Sequence, residues 1–274
     1  MTGSFLITLR EGLEAALVIG IILGYLYKTG QQALNRHVYL GAACAVAASI
    51  LTAYVFETML GGFEKHEELF EGIFMLIAVG ILTPMIVWMH KNSRNIKSNL
   101  ERQISSALTG KKLIGLTSLS FLTVYREGVE TVLFMEASVL SASPGQALTG
   151  GLLGITAAIL VAAGIFKGTA RMNLGAFFKV TGLILVFFAA GLTAHGLHEL
   201  QEAGFVPAII EHVWNTNGII NEKGVVGSFL KTLVGYNGDP SLVEVMGWVL
   251  YMGIALKMFL APQDKHLEKA VHHI

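Results

Sequence analysis

Arg10, Glu11 and Glu14 place three charges within five residues of an otherwise apolar stretch, and the pattern returns 116 residues later as Arg126, Glu127 and Glu130. A glycine, Gly12 or Gly128, separates the two acids of each copy. On a helix that turns about 100° per residue, the arginine and both glutamates project within one arc of about 100°. Together the two arcs pool four carboxylates against two guanidiniums. Ion pairing alone would balance one to one. A surplus of hard oxygen donors suits a hard cation, with the arginines orienting the carboxylates through bidentate hydrogen bonds. A divalent ion would cancel the excess negative charge, and a trivalent ion would reverse it.

The surrounding chain decides where such a cluster sits. Of its 274 residues 53% are hydrophobic, 31 are glycine and 14% are charged, whereas a soluble domain carries roughly 25% charged residues. Mean hydropathy is +0.62. So few charges cannot cover a water-soluble globule, and the apolar content excludes disorder. A single cysteine excludes a disulfide framework; Cys44 reads as a small packing residue in an apolar run. Zero net charge provides no global field for nucleic acid. The composition is that of a multi-pass protein in a lipid bilayer.

Seven apolar stretches, 4–27, 38–60, 70–90, 113–140, 144–166, 175–199 and 242–260, reach the length of about 20 residues that a membrane helix needs. The first lacks the basic start of a cleavable signal and reads as a retained span. The spacings Gly20/Gly24 and Gly150/Gly154 predict close helix–helix approach. Fourteen of the 19 Lys and Arg residues fall in the linkers after spans one, three and five and in the tail, which assigns that side to the cytoplasm. The N-terminus is then outside and the C-terminus inside. The predicted fold is all-α, a single transmembrane domain of seven helices. Two three-helix units of opposite topology, about 1–90 and 113–200, form an inverted repeat joined by a cytoplasmic linker 91–112, followed by an outer loop 201–241, a seventh helix 242–260 and a tail 261–274.

Each charge near the bilayer centre costs about 2.5–3.5 kcal/mol, so the six of the two motifs amount to roughly 15–20 kcal/mol unless they meet one another or water. The two arcs are therefore expected to face the interior and each other, with Gly12 and Gly128 letting backbones come close.

Twelve of the 19 acids lie at or near the outer face. Glu64 and Glu67, Glu68 and Glu71, and Glu199 and Glu202 are spaced i, i+3, so each pair can share a cation on a helix. Glu136, His66, His195 and His198 add further donors, the imidazoles being suited to transition metals. Acidic walls of this kind concentrate cations before entry. His198-Glu199-Leu200-Gln201-Glu202 matches half of a zinc-protease motif, with Glu202 where a second His would stand; an intramembrane metalloenzyme is the competing class. The tail histidines His266, His272 and His273 read as solvated. Residues 225–234, with Trp214, read as an interfacial segment carrying an aromatic anchor. Met75, Met85, Met89, Met246, Met252 and Met258 read as packing.

The paired Arg-Glu-Gly-hydrophobic-Glu motifs resemble those of the oxidase-dependent ferric iron permease family, which includes fungal high-affinity iron permeases and bacterial EfeU-type proteins. Leu233-Val234-Gly235-Tyr236, followed by Asp239-Pro240-Ser241 and Glu244-Val245, is similar to the last loop of that family. The resemblance implies a seven-helix Fe³⁺ importer rather than an enzyme. Glu11, Glu14, Glu127 and Glu130 would handle the ion, with Arg10 and Arg126 as partners and external Glu-x-x-Glu pairs for capture. It also implies delivery by a multicopper ferroxidase, or by extracytoplasmic iron-binding and peroxidase components. Iron is cargo, and no resident cofactor is expected. The chain has no Gly-rich phosphate loop. A trivalent ion moving to a negative interior gains about 2.3 kcal/mol per charge per 100 mV, roughly 7 kcal/mol in all. The same carboxylates would also serve a divalent ion, Fe²⁺, Mn²⁺ or Pb²⁺.

Overall fold

The computed structural model describes residues 2–60, 67–92, 96–109, 112–140, 144–166, 174–222 and 224–261. They form nine α-helices and, among them, no strand. These are α1 (Thr2–Lys28), α2 (Asn35–Leu60) after a 3₁₀ turn at Gln32–Leu34, α3 (Glu67–Asn92), α4 (Ile96–Thr109), α5 (Lys112–Leu140), α6 (Pro144–Phe166), α7 (Leu174–Glu202), α8 (Val225–Val234) and α9 (Leu242–Leu260). The long helices occupy the seven apolar stretches. By length and composition α2, α3, α6, α7 and α9 can cross a membrane. α1 and α5, of 27 and 29 residues, each interrupt their apolar sequence with one Arg and two Glu of the motif.

Two short helices complete the bundle. α4 lies inside the stretch read as a plain linker. Its Leu100, Ile104 and Leu108 recur every fourth residue and are buried against Val18, Ile22 and Leu26 of α1, Val38 of α2 and Leu116 of α5, the stripe of an amphipathic helix. α8, the segment expected to be interfacial, packs its C-terminal end on α7 and α9. Its C-terminal Gly235 takes φ +70 and lies against Gly191 of α7 so closely that a Cβ on either glycine would strike the other backbone. Trp248 Nε1 of α9 donates to Val234 O at 2.9 Å. Trp214 ties the segment before α8 to the segment after it, its indole donating to Asn237 O at 3.3 Å.

The long helices pair reciprocally. α1 lies chiefly along α6, α2 along α5, and α3 along α7, while α1 also meets α5 and α9 packs on α7. Small residues permit this closeness. A Cβ on Gly12 would lie 2.9 Å from Ala158 of α6, and one on Gly128 would collide with Ser49 of α2. The motif glycines thus admit the flanking helices, α6 and α2, which differs from the expectation that they bring the two motif helices together. Gly154 admits Thr8, and Gly20 faces the ring of Phe166, whereas a Cβ on Gly24 would meet nothing within 4 Å among the described residues. The main core joins α3, α7 and α9 through Met75, Leu82, Ile86, Leu185, Phe188, Met252 and Phe259, with Ile7 and Phe134 reaching in from α1 and α5. Outward faces are apolar, as on α2 (Ile50, Leu51), α6 (Ile159, Leu160) and α9 (Val249, Leu250), the surface a bilayer covers. Cys44 lies on such a face and is exposed, so it does not fill a gap between helices. Met246 and Met258 are likewise exposed rather than packed.

Candidate metal site

Where α1 meets α5, Glu11, Glu14 and Glu127 each bring a carboxylate oxygen within 4.8 Å of the others, and all three side chains are buried. One guanidinium organises the α1 side. Arg10 Nη1 donates to Glu11 Oε1 at 2.9 Å, and Nη2 lies 3.2 Å from Glu14 Oε1. The Arg10 side chain is 1% exposed. Across from it, Nε and Nη2 of Arg126 both donate to Glu127 Oε1, and Nε lies 3.7 Å from Glu130 Oε1. Here the enclosure is incomplete: the Arg126 side chain is 53% exposed and that of Glu130 16%. Glu130 stands beside the buried triad, not within it.

The arginines leave part of the carboxylate surface unmatched. Glu11 Oε2 and Glu127 Oε2 are buried and have no hydrogen-bond partner among the described residues. A buried carboxylate oxygen with no donor is costly. Hard oxygens from two helices, converging and under-satisfied, are the donor set for a hard cation. α3 backs both motifs. Met85 Sδ lies 3.9 Å from Arg10 Nη1, and the Trp88 ring centroid 6.0 Å from Arg126 Cζ. Sequence reasoning read Met85 as packing and passed over Trp88, since nothing in the spacing of α3 points to α1 or α5.

The residues expected at the outer face separate into groups. Glu64 and His66 lie outside the described residues, as do the tail histidines; Glu67 is the first residue of α3. Glu68 is exposed and Glu71 half-buried on α3. Glu199 of α7 is half-buried in the field of Glu71, Glu202 and Glu68. The two helix ends are held together where Gly72 faces the Gly196 carbonyl. His195 Nε2 lies 3.7 Å from Glu199 Oε1, and its ring stacks on that of His198 at 6.1 Å. Glu136 of α5 instead feels Glu57 of α2.

His198 is engaged at both nitrogens, with Nδ1 3.1 Å from Glu244 Oε1 and Nε2 3.3 Å from Glu202 Oε1. Glu244, 3% exposed, was counted among the outer acids but not as a site residue. Its carboxylate also accepts from Asn237 Nδ2 at 2.7 Å and Ser241 N at 3.1 Å, while Ser241 Oγ caps α9. The signal was present: Ser241-x-x-Glu244 before an apolar run is a capping box.

A model of the iron permease FTR1 family matches residues 1–262. The chain belongs to that family. Among curated relatives, the ferrous iron permease EfeU of Escherichia coli O157:H7 is 37% identical over 261 residues, covering 94% of this chain and 95% of its own. The ferrous iron permease EfeU of Yersinia pestis is 35% identical over 94% and 93%. No solved structure matches. As an FTR1-family iron permease, the chain is a transporter and not an enzyme, and a multi-pass protein of the cell membrane.

Proposed function

We propose that this FTR1-family permease imports iron as Fe³⁺, carried by Glu11, Glu14, Glu127 and Glu130 and oriented by Arg10 and Arg126. The observation that carries the reading is the buried convergence of Glu11, Glu14 and Glu127 from two helices, with unmatched oxygens on Glu11 and Glu127. Four carboxylates against two guanidiniums leave a net charge of −2, which a divalent ion cancels and a trivalent ion reverses, so the ferric cargo rests on the family resemblance and not on this count.

On this reading the protein has seven spans, outside at the N-terminus and cytoplasmic at the C-terminus, with α1–α3 and α5–α7 as an inverted repeat and α9 outside it. Support comes from the reciprocal packing of α1 on α6 and α2 on α5, and from Gly12 and Gly128, which admit Ala158 and Ser49 at the same place in each motif. Orientation rests on the Lys and Arg distribution. Iron gathers at Glu68, Glu71, Glu199, Glu202 and His195, enters the motif site and leaves inward. The membrane potential, or protons replacing the ion on the carboxylates, drives the cycle. Delivery falls to a ferroxidase or an extracytoplasmic iron-binding protein, since free Fe³⁺ is scarcely soluble. No resident cofactor takes part.

A second reading, Fe²⁺ as cargo, is favoured by the names of the Escherichia coli and Yersinia pestis relatives. Radiolabelled iron uptake into proteoliposomes tests both. Glu14→Ala and Glu127→Gln abolish uptake if the site is correct; uptake at the unaltered rate removes it. A ferrous chelator leaves Fe³⁺ uptake intact, whereas complete inhibition by that chelator overturns the ferric cargo in favour of the ferrous one.

A further inference from the structure

The two motifs match residue for residue and differ in their surroundings. Arg10 is enclosed at 1% exposure, while Arg126, midway along α5, is 53% exposed. A guanidinium at that depth does not face hydrocarbon, because ionisable groups within membrane helices turn to the bundle interior or to water. Its open side therefore borders water. Trp88 of α3 forms the facing wall, with its ring centroid 6.0 Å from Arg126 Cζ, and is 51% exposed. It stands in the last turns of α3, beside His90 and Lys91, at the end that the basic residues assign to the cytoplasm. Glu130 Oε1 lies 3.7 Å from Arg126 Nε, beside the buried triad.

The direct way down is shut. From Glu14 toward the end of α1, and from Glu127 back toward the start of α5, the space is filled by Val18, Ile22, Leu26 and Leu116 packed with Leu100, Ile104 and Leu108 of α4. An apolar plug of that kind gives a hydrated ion no ligands. Pro84 lies one turn before Trp88 and removes a backbone donor from α3, where a membrane helix bends most easily.

Taking the motif glutamates as the iron path, we propose that iron leaves through a hydrated crevice between α3 and α5, and that Arg126, not Arg10, is the residue that moves to release it. Arg10 is a fixed clamp on Glu11 and Glu14. Arg126 pairs with Glu127 from the crevice side and swings into the water-filled opening, uncovering the carboxylates toward the cytoplasm.

Substituted-cysteine labelling tests this in full-length protein carrying Cys44→Ser, which removes the one native thiol. Arg126→Cys, Trp88→Cys and, as reference, Arg10→Cys are reconstituted in right-side-out and inside-out vesicles and exposed to a membrane-impermeant cationic methanethiosulfonate. Trp88→Cys and Arg126→Cys should react at least tenfold faster from the cytoplasmic face, with Arg10→Cys inert from both. Trp88→Cys leaves both motifs intact and stays informative if Arg126→Cys does not fold. A Trp88→Cys thiol that is inert, or faster from outside, overturns the crevice. Equilibrium Fe³⁺ binding separates the two arginines: Arg126→Lys should keep binding and change the rate of uptake, whereas Arg10→Lys should lose binding. The reverse pattern overturns the assignment. Labelling needs no iron, so a labelled crevice in a protein that transports none would sink the iron reading alone. Iron uptake by the unaltered protein, with Trp88→Cys unlabelled, would sink the crevice alone.

Discussion

Met85 and Trp88, one turn apart on α3, each meet a different motif arginine, Met85 Sδ at 3.9 Å from Arg10 Nη1 and the Trp88 ring at 6.0 Å from Arg126 Cζ. A helix with no motif of its own is thus the common backing of both charged arcs, and the two arcs lean on it differently. Enclosure on one side and exposure on the other divide the arginines energetically.

Removing Arg10 should be far more damaging than removing Arg126. Without it, Glu11 and Glu14 remain buried with no counter-charge at 2.9 and 3.2 Å, and breaking a buried pair from one side typically costs about 3–5 kcal/mol. Losing Arg126 strands one buried carboxylate, Glu127 at 3% exposure, instead of two, and the half-exposed position that Arg126 vacates admits water beside it. Arg10→Ala is expected to lower the melting temperature and the yield of monodisperse protein in detergent, with Arg126→Ala losing much less. Arg10→Lys should not rescue, because a single ammonium lacks the planar fork that reaches both carboxylates. Equal losses for the two alanine variants would contradict this account.

Glycine substitutions should sort by what each Cβ meets. On Gly128 it strikes Ser49, and on Gly154 it strikes Thr8 Oγ1 and comes within 2.4 Å of the Phe5 carbonyl oxygen. Overpacking of this kind costs about 1–3 kcal/mol. Gly24 has nothing within 4 Å of that position, and a helix-interior Gly→Ala there gains about 0.5–1 kcal/mol. Thermal unfolding followed by fluorescence-detected size exclusion should show Gly128→Ala and Gly154→Ala falling while Gly24→Ala holds or rises.

These glycines also mark the limits of sequence reading. The apolar stretches located every long helix because hydrophobic length is a local property, and the repeated motif located the carboxylates because charge in such a stretch demands a partner. Which helix a glycine admits is not local: Gly12 and Gly128 face α6 and α2, and Gly24 faces nothing. The inequality of Arg10 and Arg126 was equally hidden, since identical five-residue patterns say nothing of Met85, Trp88 or α4. α4 itself was legible from Leu100, Ile104 and Leu108, but its few apolar residues were outweighed by the basic charges that marked it as a linker. The docking of α8 on α7 depends on Gly191, more than thirty residues earlier in the chain.

The plug beneath the site gives another quantitative expectation. Ile104 of α4 is fully buried against the C-terminal half of α1 and the N-terminal half of α5, and truncating a buried isoleucine costs about 2–5 kcal/mol. Ile104→Ala should therefore lower the thermal stability of the whole bundle even though α4 is only 14 residues long. Gln103 lies on the exposed face of the same helix, and Gln103→Ala should leave stability within about 0.5 kcal/mol. If both variants melt like the unaltered protein, α4 is not part of the packed unit.

His198 and Glu244 should behave as one tether between α7 and α9, separately from the acids proposed to gather iron. Glu244 holds His198 Nδ1 at 3.1 Å and Asn237 Nδ2 at 2.7 Å while closing the capping box with Ser241. Losing the Ser241 cap alone costs about 1 kcal/mol. Residues joined in one network couple by about 0.5–3 kcal/mol. In a double-mutant cycle on thermal stability, His198→Ala and Glu244→Ala should therefore each destabilise, and the pair together should lose less than the sum. Because both His198 nitrogens are occupied by carboxylates, uptake per folded molecule at low iron should persist in His198→Ala and fall in Glu199→Ala, which faces Glu71 across the α3–α7 contact. A collapse of low-iron uptake in His198→Ala, at unchanged stability, would make that imidazole a ligand and leave Glu244 as the group that aims it.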